Sequence, residues 1–439
     1  MIGFNDEYFC EEAQLLISCR GANSGVINFS PNKCFVTNNS LIVDFASDPQ
    51  QLRKTLFYFL KAANKERLVT GTAQPQVTIN NAVEIEICLP PLPEQHRIVA
   101  KIEELFSELD KGVDSLKAAR EQLKVYRQAL LKHAFEGKLT AQWRAENSDK
   151  LETATALQQR IQTERQERHR QQLADWEAKG KQGNKPKAPK PLPPLSAEEL
   201  AELPKLPAGW GWVKNENHLF EVKDGTHDTP KYADAGIPFV TQKNIKDGKL
   251  DLNHVSFISE DDHRLFSKRS NVEQGDVIIS MIGHGRGQCC IINSDVVFSI
   301  KNVGLFKFFR EFQSNKFLCY YYQSSVGLNL VLAKSKGGAQ PFIGLTELRN
   351  WPVPVCSFEE QCRIVEELES KLSEADQLDQ TLATALQQSA ALRQSILKKA
   401  FCGQLVKQYK NDEPASVLLE RIRTEKLNDM KPGKREKSS

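Results

Sequence analysis

The chain has 439 residues, too many for one typical domain, so we expect two to four folded units. Its net charge is only +3, which excludes a protein that binds nucleic acid through bulk charge, so any DNA contact must come from local clusters. The ten cysteines are scattered without a C-x-x-C pair, which argues against a zinc site or a disulfide framework and fits the cytoplasm. No apolar run approaches the roughly 20 residues that cross a bilayer, and the acidic N-terminus is unlike a signal peptide.

Residues 1–92 predict a first mixed α/β region, in which Gln14–Ser18 is a candidate strand. Its loops carry basic and amide side chains, which can hold phosphates or read base edges. Each residue alone also fits an ordinary solvated surface, so the prediction rests on their clustering. The candidate DNA contacts here are Arg20, Asn23, Lys33, Asn38, Lys65 and Arg67.

Residues 93–143 predict one long helix after the proline-rich stop at Leu89–Pro93. Apolar residues recur every seven positions, which predicts a coiled-coil seam, although the core of an ordinary helical bundle is an alternative. A second apolar track includes Tyr126 and is interrupted at Gly112. The residues expected at the spacer or subunit interface are Ile102, Leu109, Leu116, Leu123, Leu130 and Phe135.

Residues 144–206 predict a connecting segment between two larger regions. Its first half, Leu151–Glu177, is a charged helix, and Lys185–Pro194 is a stiff polyproline-type linker. A ligand for an SH3 or WW domain is an alternative interpretation of the proline run.

Residues 207–358 predict a second globular α/β domain. Asp276–Ser280 and Cys290–Ile292 are typical of strands, and the aromatic-rich stretch Lys316–Leu332 is helical. Basic and amide residues again concentrate in its loops. The candidate DNA contacts in this domain are Lys223, Thr226, His227, Lys231, Lys243, Asn244, Arg286, Lys301, Asn302, Lys334, Lys336 and Gln340.

Residues 359–410 predict a second long helix, followed by a C-terminal tail at 411–439. The run EQHRIV from Glu94 recurs as EQCRIV from Glu360, and the same shift relates RQALLKHAFEGKL from Arg127 to RQSILKKAFCGQL from Arg393. This constant register predicts a duplicated unit with internal pseudo-symmetry, since a solenoid would need more copies. The expected interface residues of the second helix are Leu368, Leu378, Leu382, Leu392, Ile396 and Phe401.

The two copies differ at their beginnings. Gln14–Ser18 aligns with Asp276–Ser280, so the counterpart of Gly209 would fall about fifty residues before Met1. We therefore expect the first globular region to be truncated at its N-terminus.

Motifs for catalysis are missing from the sequence. The run GHGRG from Gly283 lacks the lysine and the G-K-[ST] ending of a P-loop, which leaves a turn between strands or a contact with the DNA backbone. No G-x-G-x-x-G opens a βαβ unit, Glu221–Lys223 lacks the acidic partner of a nuclease motif, and no His/Cys cluster has metal spacing. We therefore expect no catalytic residue, metal or cofactor in this chain.

The run LPPLPEQHRIV from Leu89, followed by the heptad helix and RQALLKHAFEGKL, resembles the conserved region of type I restriction-modification specificity subunits. The second domain is similar to their target recognition domains at PAGW from Pro207, KDGTHDTP from Lys223, GIPFV from Gly236 and GDVIIS from Gly275. The likeness covers nearly the whole chain. It implies α/β (α+β) target recognition domains joined by two long antiparallel coiled-coil helices, with an internal pseudo-twofold repeat.

The resemblance also implies a function. Such a subunit reads a bipartite DNA target and docks two methyltransferase and two restriction (motor) subunits, which hold the adenosylmethionine, ATP and magnesium. The chain itself would not be catalytic. Two alternatives stay open: a stand-alone nuclease or methyltransferase, which would need a metal or cofactor motif, and a coiled-coil scaffold without DNA binding, which a gel shift would distinguish.

Overall fold

The computed structural model describes residues 7–44, 50–63, 68–70, 75–338 and 341–429. Its contacts divide the chain into two compact units: unit 1 comprises Met1–Arg120 and Gln380–Ser439, and unit 2 comprises Glu121–Asp379. Both units contain globular structure and part of each long helix. The boundaries expected from the sequence lie at the helix ends instead.

Apart from two helices of 44 residues each and one of 25, the helices and strands of the described residues have 15 residues or fewer. The helices are α1 (Gln50–Ala62), α2 (Ile79–Val83), α3 (Leu92–Phe135), α4 (Ala141–Glu146), α5 (Ala154–Ala178), α6 (Ala197–Ala201), α7 (Asn215–His218), α8 (Glu260–Ser267), α9 (Asn315–Gln323), α10 (Ser325–Leu332), α11 (Leu345–Asn350), α12 (Phe358–Phe401) and α13 (Ala415–Asp429). The strands are β1 (Leu15–Ser18), β2 (Ile27–Phe29), β3 (Ser40–Val43), β4 (Gly211–Lys214), β5 (Glu221–Asp224), β6 (Ile237–Val240), β7 (Ile245–Lys246), β8 (Lys249–Leu250), β9 (Ser256–Ile258), β10 (Val277–Ser280), β11 (Cys289–Ile291), β12 (Ser299–Ile300), β13 (Val303–Lys307) and β14 (Pro352–Val355).

Unit 1 contains a three-stranded antiparallel sheet in the order β2-β1-β3. Leu15 and Ile17 of β1 are buried and alternate with partly exposed neighbours, the pattern of a strand with one covered face. They pack against Leu60 of α1 and against Leu68. The strand predicted at Gln14–Ser18 is confirmed as β1.

Unit 2 is built around a four-stranded antiparallel sheet in the order β11-β10-β13-β5. Val277 and Ile279 of β10 enter one core cluster and Ile278 enters another, so both faces of this strand are covered. The strands predicted at Asp276–Ser280 and Cys290–Ile292 are confirmed as β10 and β11. Because most strand pairs are antiparallel, this region is α+β rather than a doubly wound α/β fold.

The helical stretch predicted at Lys316–Leu332 forms two helices, α9 and α10, which are separated at Ser324. This residue has an extended backbone, with φ −69° and ψ 151°, and its side chain caps α10 by accepting from the Gly327 N–H at 3.1 Å. The break adjoins Tyr321 and Tyr322, which are buried in the core of unit 2.

Each long helix begins with a buried Glu–Gln pair from the repeated motif. The Gln95 side-chain amide donates to the Pro90 carbonyl at 2.8 Å, and the Gln361 amide donates to the Cys356 carbonyl at 3.0 Å. Each of these hydrogen bonds satisfies a backbone carbonyl in the segment that precedes the helix. The repeated sequence therefore builds the same local structure twice.

The two long helices contact each other inside each unit. In unit 1, the start of α3 packs against the end of α12 through Ile98, Ile102 and Ile396. In unit 2, the end of α3 shares a core with the start of α12 through Leu130 and Leu368.

Two residues predicted for the helix seam are exposed. Leu378 is 49% exposed and Leu392 is 50% exposed. Their counterparts in the first copy, Gly112 and Tyr126, are also exposed. An α-helix has 3.6 residues per turn, so a strict heptad track drifts around its surface, and two helices in contact bury only a narrow stripe. The other predicted seam residues are buried (Ile102, Leu123, Leu130, Phe135, Leu368, Leu382, Ile396) or half-buried (Leu109, Leu116, Phe401).

The predicted charged helix is α5, and it is docked on unit 2 rather than free. Leu157 and Ile161 are fully buried in the core of unit 2. Arg165 donates to the backbone carbonyl of Glu216 at 2.6 Å and to that of Leu219. The segment between the repeats thus forms part of the second globular region.

Candidate nucleic-acid interface

In unit 2, four loops meet at the edge of the four-stranded sheet where β5 and β10 end and β13 begins. The Met281 N–H donates to the Asn302 carbonyl at 3.4 Å, and the Asn302 N–H donates to the Thr226 carbonyl at 3.1 Å. The Ile343 N–H donates to the Met281 carbonyl at 2.8 Å, which ties the fourth loop to the others. We call these loops, residues 225–231, 281–288, 301–302 and 333–343 except 339 and 340, the loop edge of unit 2.

Unit 1 repeats this backbone framework at the end of β1, in a loop edge formed by residues 19–26, 37–39, 68–70 and 75–77. Gly25 and Gly287 occupy the same place, and both have a positive φ (77° and 87°) that only glycine adopts without strain. Four backbone hydrogen bonds of unit 1 have counterparts in unit 2. In unit 1, the carbonyls of Ser18, Pro75, Asn39 and Cys19 accept from the N–H groups of Gly25, Gly21, Cys19 and Val77, respectively. In unit 2, the carbonyls of Ser280, Pro341, Asn302 and Met281 accept in the same order from Gly287, Gly283, Met281 and Ile343.

Basic side chains lie along the loop edge of unit 2. Lys231 and Lys334 are exposed. The Arg286 guanidinium is held by the Ser335 hydroxyl and the Gly283 carbonyl, both at 3.2 Å. Cations on mobile stems suit phosphates, and a guanidinium fixed by its neighbours suits a defined acceptor.

A buried carboxylate organises one of these loops. Asp224 at the end of β5 accepts from Arg269 at 2.7 Å and lies 3.1 Å from His227 Nε2. The other ring nitrogen of His227 lies 2.7 Å from Asn302 Oδ1. His227 and Asn302 were predicted from the sequence, but Arg269 was missed, because it lies in a polar stretch outside the predicted loop clusters.

Lys301 and Lys336 also belong to the loop edge, and each is engaged with a neighbour. Lys301 bonds the Thr229 hydroxyl, and Lys336 pairs with Glu347 at 2.6 Å. Lys243 is exposed, and the adjoining Gln242 lies close to Gly283.

Asn244 is a structural residue, contrary to the prediction that it contacts DNA. Its side chain is buried, and its amide donates to the carbonyls of Asp251 (3.2 Å) and His254 (2.9 Å). Its oxygen accepts from the Thr241 N–H at 2.9 Å. Because both amide hydrogens and the oxygen serve this turn, Asn244 has no free donor for a base.

Two further predicted contacts in unit 2 have local roles. Thr226 is buried, and its hydroxyl accepts from the Asp228 N–H at 3.1 Å, an arrangement that shapes the loop. Lys223 lies within β5 and pairs with Glu221 at 2.7 Å. Thr226 is thus a buried member of the loop edge, and Lys223 lies in the strand that leads into it.

The predicted contacts of unit 1 separate into two groups. Arg20, Asn23 and Asn38 are exposed at the loop edge of unit 1. Lys33 follows β2 at the opposite end of the sheet, since Phe29 pairs with Leu15 at the start of β1. Lys33 therefore does not join the cluster expected from the sequence. Three other predicted contacts, Lys65, Arg67 and Gln340, lie outside the described residues.

Within the residues that the structure describes, no group of three or more His, Cys, Asp or Glu side chains is arranged to hold a metal ion. No helix among the same residues has the length and apolarity needed to cross a bilayer. The chemistry at both loop edges is that of hydrogen-bond donors and cations.

Residues 1–117 and 209–388 match the family described as the type I restriction modification DNA specificity domain. The chain belongs to this family. The resemblance inferred from the repeated Glu–Gln motif and the second domain is thereby confirmed. The two matched stretches contain the loop edges of unit 1 and unit 2.

Members of this specificity family resemble the chain over much of its length. It is 27% identical over 360 residues to the type I restriction enzyme EcoBI specificity subunit of Escherichia coli, a match that covers 77% of this chain and 64% of that protein. It is 23% identical over 421 residues to the EcoDI specificity subunit of Escherichia coli, with 91% and 82% covered. The chain thus spans a little under two thirds of the first relative's length.

A solved structure supports the fold. A chain from a study of complex assembly and conformational transition in the type I R-M system aligns with a TM-score of 0.57, and the alignment covers 91% of this chain and 83% of that one. The sequence identity is 19%, so this likeness concerns the fold alone.

Proposed function

We propose that the chain is the sequence-specific DNA-recognition subunit of a type I restriction-modification complex and performs no catalysis itself. The loop edge carries this proposal, because it is built on one backbone framework in both units and bears basic and amide side chains. Lysine and arginine hold phosphates, and arginine and amide side chains read base edges in the major groove. Membership of the DNA specificity family supports the same function.

In this proposal each recognition domain reads one half of a bipartite target. The domains are residues 1–92 and 207–358, the spacer helices are 93–143 and 359–410, the connecting segment is 144–206 and the tail is 411–439. The contacts that we retain are Arg20, Asn23, Asn38, His227, Lys231, Lys243, Arg286, Lys301, Asn302, Lys334 and Lys336. Lys65, Arg67 and Gln340 stay predictions.

The proposed spacer is an antiparallel coiled coil of the two long helices, with a pseudo-twofold relation between the copies. Two ion pairs support it: Asp110 with Arg393 in unit 1, and Arg127 with Asp376 in unit 2, the latter at 2.7 Å. The later residue on α3, Arg127, pairs with the earlier residue on α12, Asp376, as expected for antiparallel helices.

The proposed partners are double-stranded DNA, two methyltransferase subunits and two restriction subunits, which meet in the cytoplasm. Adenosylmethionine, ATP and magnesium would bind to those subunits. In unit 2, exposed apolar side chains on the long helices would gain by burial against one of these subunits. These side chains are Val125, Tyr126 and Leu378.

The function is tested by reconstitution. The chain is purified alone and with methyltransferase subunits, and each sample is assayed for methyl transfer from labelled adenosylmethionine and for gel shifts on genomic fragments. We expect methylation of adenine at one bipartite motif by the complex, and no methyl transfer, nuclease or ATPase activity by the chain alone.

Other outcomes would favour the alternatives. Turnover by the chain alone that is lost on a point mutation within it would indicate a stand-alone enzyme. Failure of the complex to shift any fragment at low salt would indicate a scaffold without DNA binding. Sequencing the methylated adenines of a host with and without the gene gives an independent answer.

A further inference from the structure

One exposed aromatic side chain lies at the loop edge of unit 2. The backbone of Phe342 exchanges two hydrogen bonds with Lys336, at 2.8 and 2.9 Å, and also bridges to Ile282. The ring is nevertheless 42% exposed. Its backbone is therefore fixed on both sides while the ring remains open to a ligand.

The surroundings of this ring separate it from ordinary exposed apolar residues. A lone apolar side chain on a surface needs no explanation. Phe342, however, stands in the loop edge that carries Arg286, Lys334 and Lys336. An aromatic ring among cations suits DNA, because the cations hold phosphates while the ring contacts the apolar part of a base.

The repeat places Gln76 at the same position in unit 1. Its backbone exchanges two hydrogen bonds with Thr70, both of 2.9 Å, and bridges to Arg20. The Gln76 side chain is also exposed. One position in a duplicated framework thus presents an aromatic ring in one unit and an amide in the other.

We propose that this bridge position contacts a base in each half-site, with Phe342 packed on the methyl group of a thymine and Gln76 paired with the edge of an adenine. Glutamine can bond adenine N6 and N7 together, and phenylalanine offers an apolar face to the thymine methyl. Since the backbone is already fixed, presenting either side chain costs little conformational freedom. The inference rests on the proposed DNA-recognition function.

The experiment uses the full chain with methyltransferase subunits and a random duplex DNA library. Bound sequences define the motif, and each thymine of the motif is then replaced by deoxyuridine and each adenine by 7-deazaadenine. We expect one thymine to be sensitive, with binding weakened about fivefold or more on loss of its methyl group. The Phe342→Ala complex should bind the unmodified site more weakly than wild type by the same factor. Replacing the sensitive thymine with deoxyuridine should not weaken its binding further.

Gln76→Ala should in the same way abolish sensitivity to 7-deazaadenine at one adenine of the other half-site. Leu200→Ala is the matched control, since Leu200 is 44% exposed in α6 and is not a predicted contact. It should keep wild-type sensitivity to both modified bases. Melting curves of all three variants check that the fold is intact.

The outcomes separate the inference from the function on which it rests. If the wild-type complex selects no motif, the DNA-recognition function fails and the inference with it. If it selects a motif but Phe342→Ala and Gln76→Ala keep full sensitivity to the modified bases, only the inference is overturned. If Phe342→Ala weakens binding while no thymine is sensitive, the ring acts as a wedge between base steps and the thymine assignment is wrong.

Discussion

The Glu360 carboxylate accepts a hydrogen bond of 2.8 Å from the Thr140 hydroxyl, across 220 positions of sequence. Its second oxygen accepts from Trp210 Nε1 at 2.8 Å, and Arg144 lies 3.4 Å from the first. Glu360 is buried at the start of α12, whereas Thr140 follows the end of α3. One carboxylate of the repeated motif therefore joins the two conserved segments inside unit 2.

We expect Glu360→Ala to lower the free energy of unfolding of unit 2 by about 3 kcal/mol. The substitution removes charge-assisted hydrogen bonds and leaves the partners Thr140, Trp210 and Arg144 with unpaired polar atoms in a buried place. All five tryptophans lie within unit 2, so denaturant unfolding followed by tryptophan fluorescence reports on this unit.

Glu94→Ala is the matched control for that substitution, since Glu94 holds the same motif position in unit 1. Its carboxylate accepts from Gln408 at 3.1 Å. We expect a loss nearer to 1 kcal/mol, as for one hydrogen bond, and no change in the tryptophan transition of unit 2. Equal effects of the two substitutions on that transition would contradict the role given to Glu360.

A second prediction concerns the docked helix α5. Leu157→Ala should destabilise unit 2 by about 2–4 kcal/mol, because it opens a cavity at a fully buried leucine. Leu265→Ala, at a residue that is 61% exposed, should change the same transition by less than about 0.5 kcal/mol. If Leu157→Ala is as mild as its control, α5 behaves as a free linker.

The sequence predicted the repeat, the long helices and the strands β1, β10 and β11, because heptads and β-branched runs are local patterns. It did not predict that α5 docks, since the buried apolar residues of this helix, Ala154, Leu157 and Ile161, are few among its many charged residues. The proline-rich run is held by equally few contacts, among them two hydrogen bonds of 2.7 and 2.9 Å between Leu192 and Asn217, which no local pattern predicts.

The candidate site shows the same limit. Residue type identified loops rich in donors, but it does not show which side chains are used up inside their own turns, as those of Asn244 and Thr226 are. Lys33 counts as a neighbour of Arg20 in the sequence, whereas strand pairing puts them at opposite ends of the sheet. The register in which the strands pair decides which loops lie next to each other, and this register cannot be predicted from residue type alone.

A third prediction is a pH dependence of unit 2 through His218. Burial lowers the pKa of His218 to about 3, and its Nδ1 lies 2.8 Å from the Gln158 amide, which donates to it. The unfolded chain takes up a proton near the ordinary pKa of 6.5, so between pH 6.5 and 3 it binds more protons than the folded protein. Stability should therefore fall as pH falls through this window.

From pH 7 to pH 5 this one group should remove about 2 kcal/mol of unfolding free energy. His218→Gln cannot take up the proton, so its loss over the same interval should be smaller by that amount, whatever its stability at pH 7. Fluorescence-detected unfolding at both pH values gives the difference. Parallel pH profiles for the two proteins would show that His218 is not the group responsible.

A fourth prediction concerns phosphate contacts at the loop edge of unit 2. The measurement uses the chain in complex with methyltransferase subunits. Lys334→Ala should weaken the binding of this complex to every DNA duplex, whatever its sequence. It should also reduce the slope of log affinity against log salt concentration by about 1, because one fewer counterion is released. Lys316→Ala is the control, as Lys316 is half-exposed and pairs with Glu369 near the start of α12. A slope unchanged by Lys334→Ala would remove this residue from the interface.

The last prediction concerns the proposed spacer, in which α3 and α12 set the distance between half-sites. A whole heptad inserted into both helices keeps the buried track on one face, since seven residues make nearly two turns. It also lengthens each helix by about 10 Å, which corresponds to about three base pairs of DNA. The complex should then select the same two half-sites with a spacer about three base pairs longer. Seven residues inserted after Gly183, between α5 and α6, should leave the spacer unchanged, because in the proposed architecture only the two long helices separate the recognition domains. Selection of the original spacer by the lengthened helices would show that they do not measure the distance.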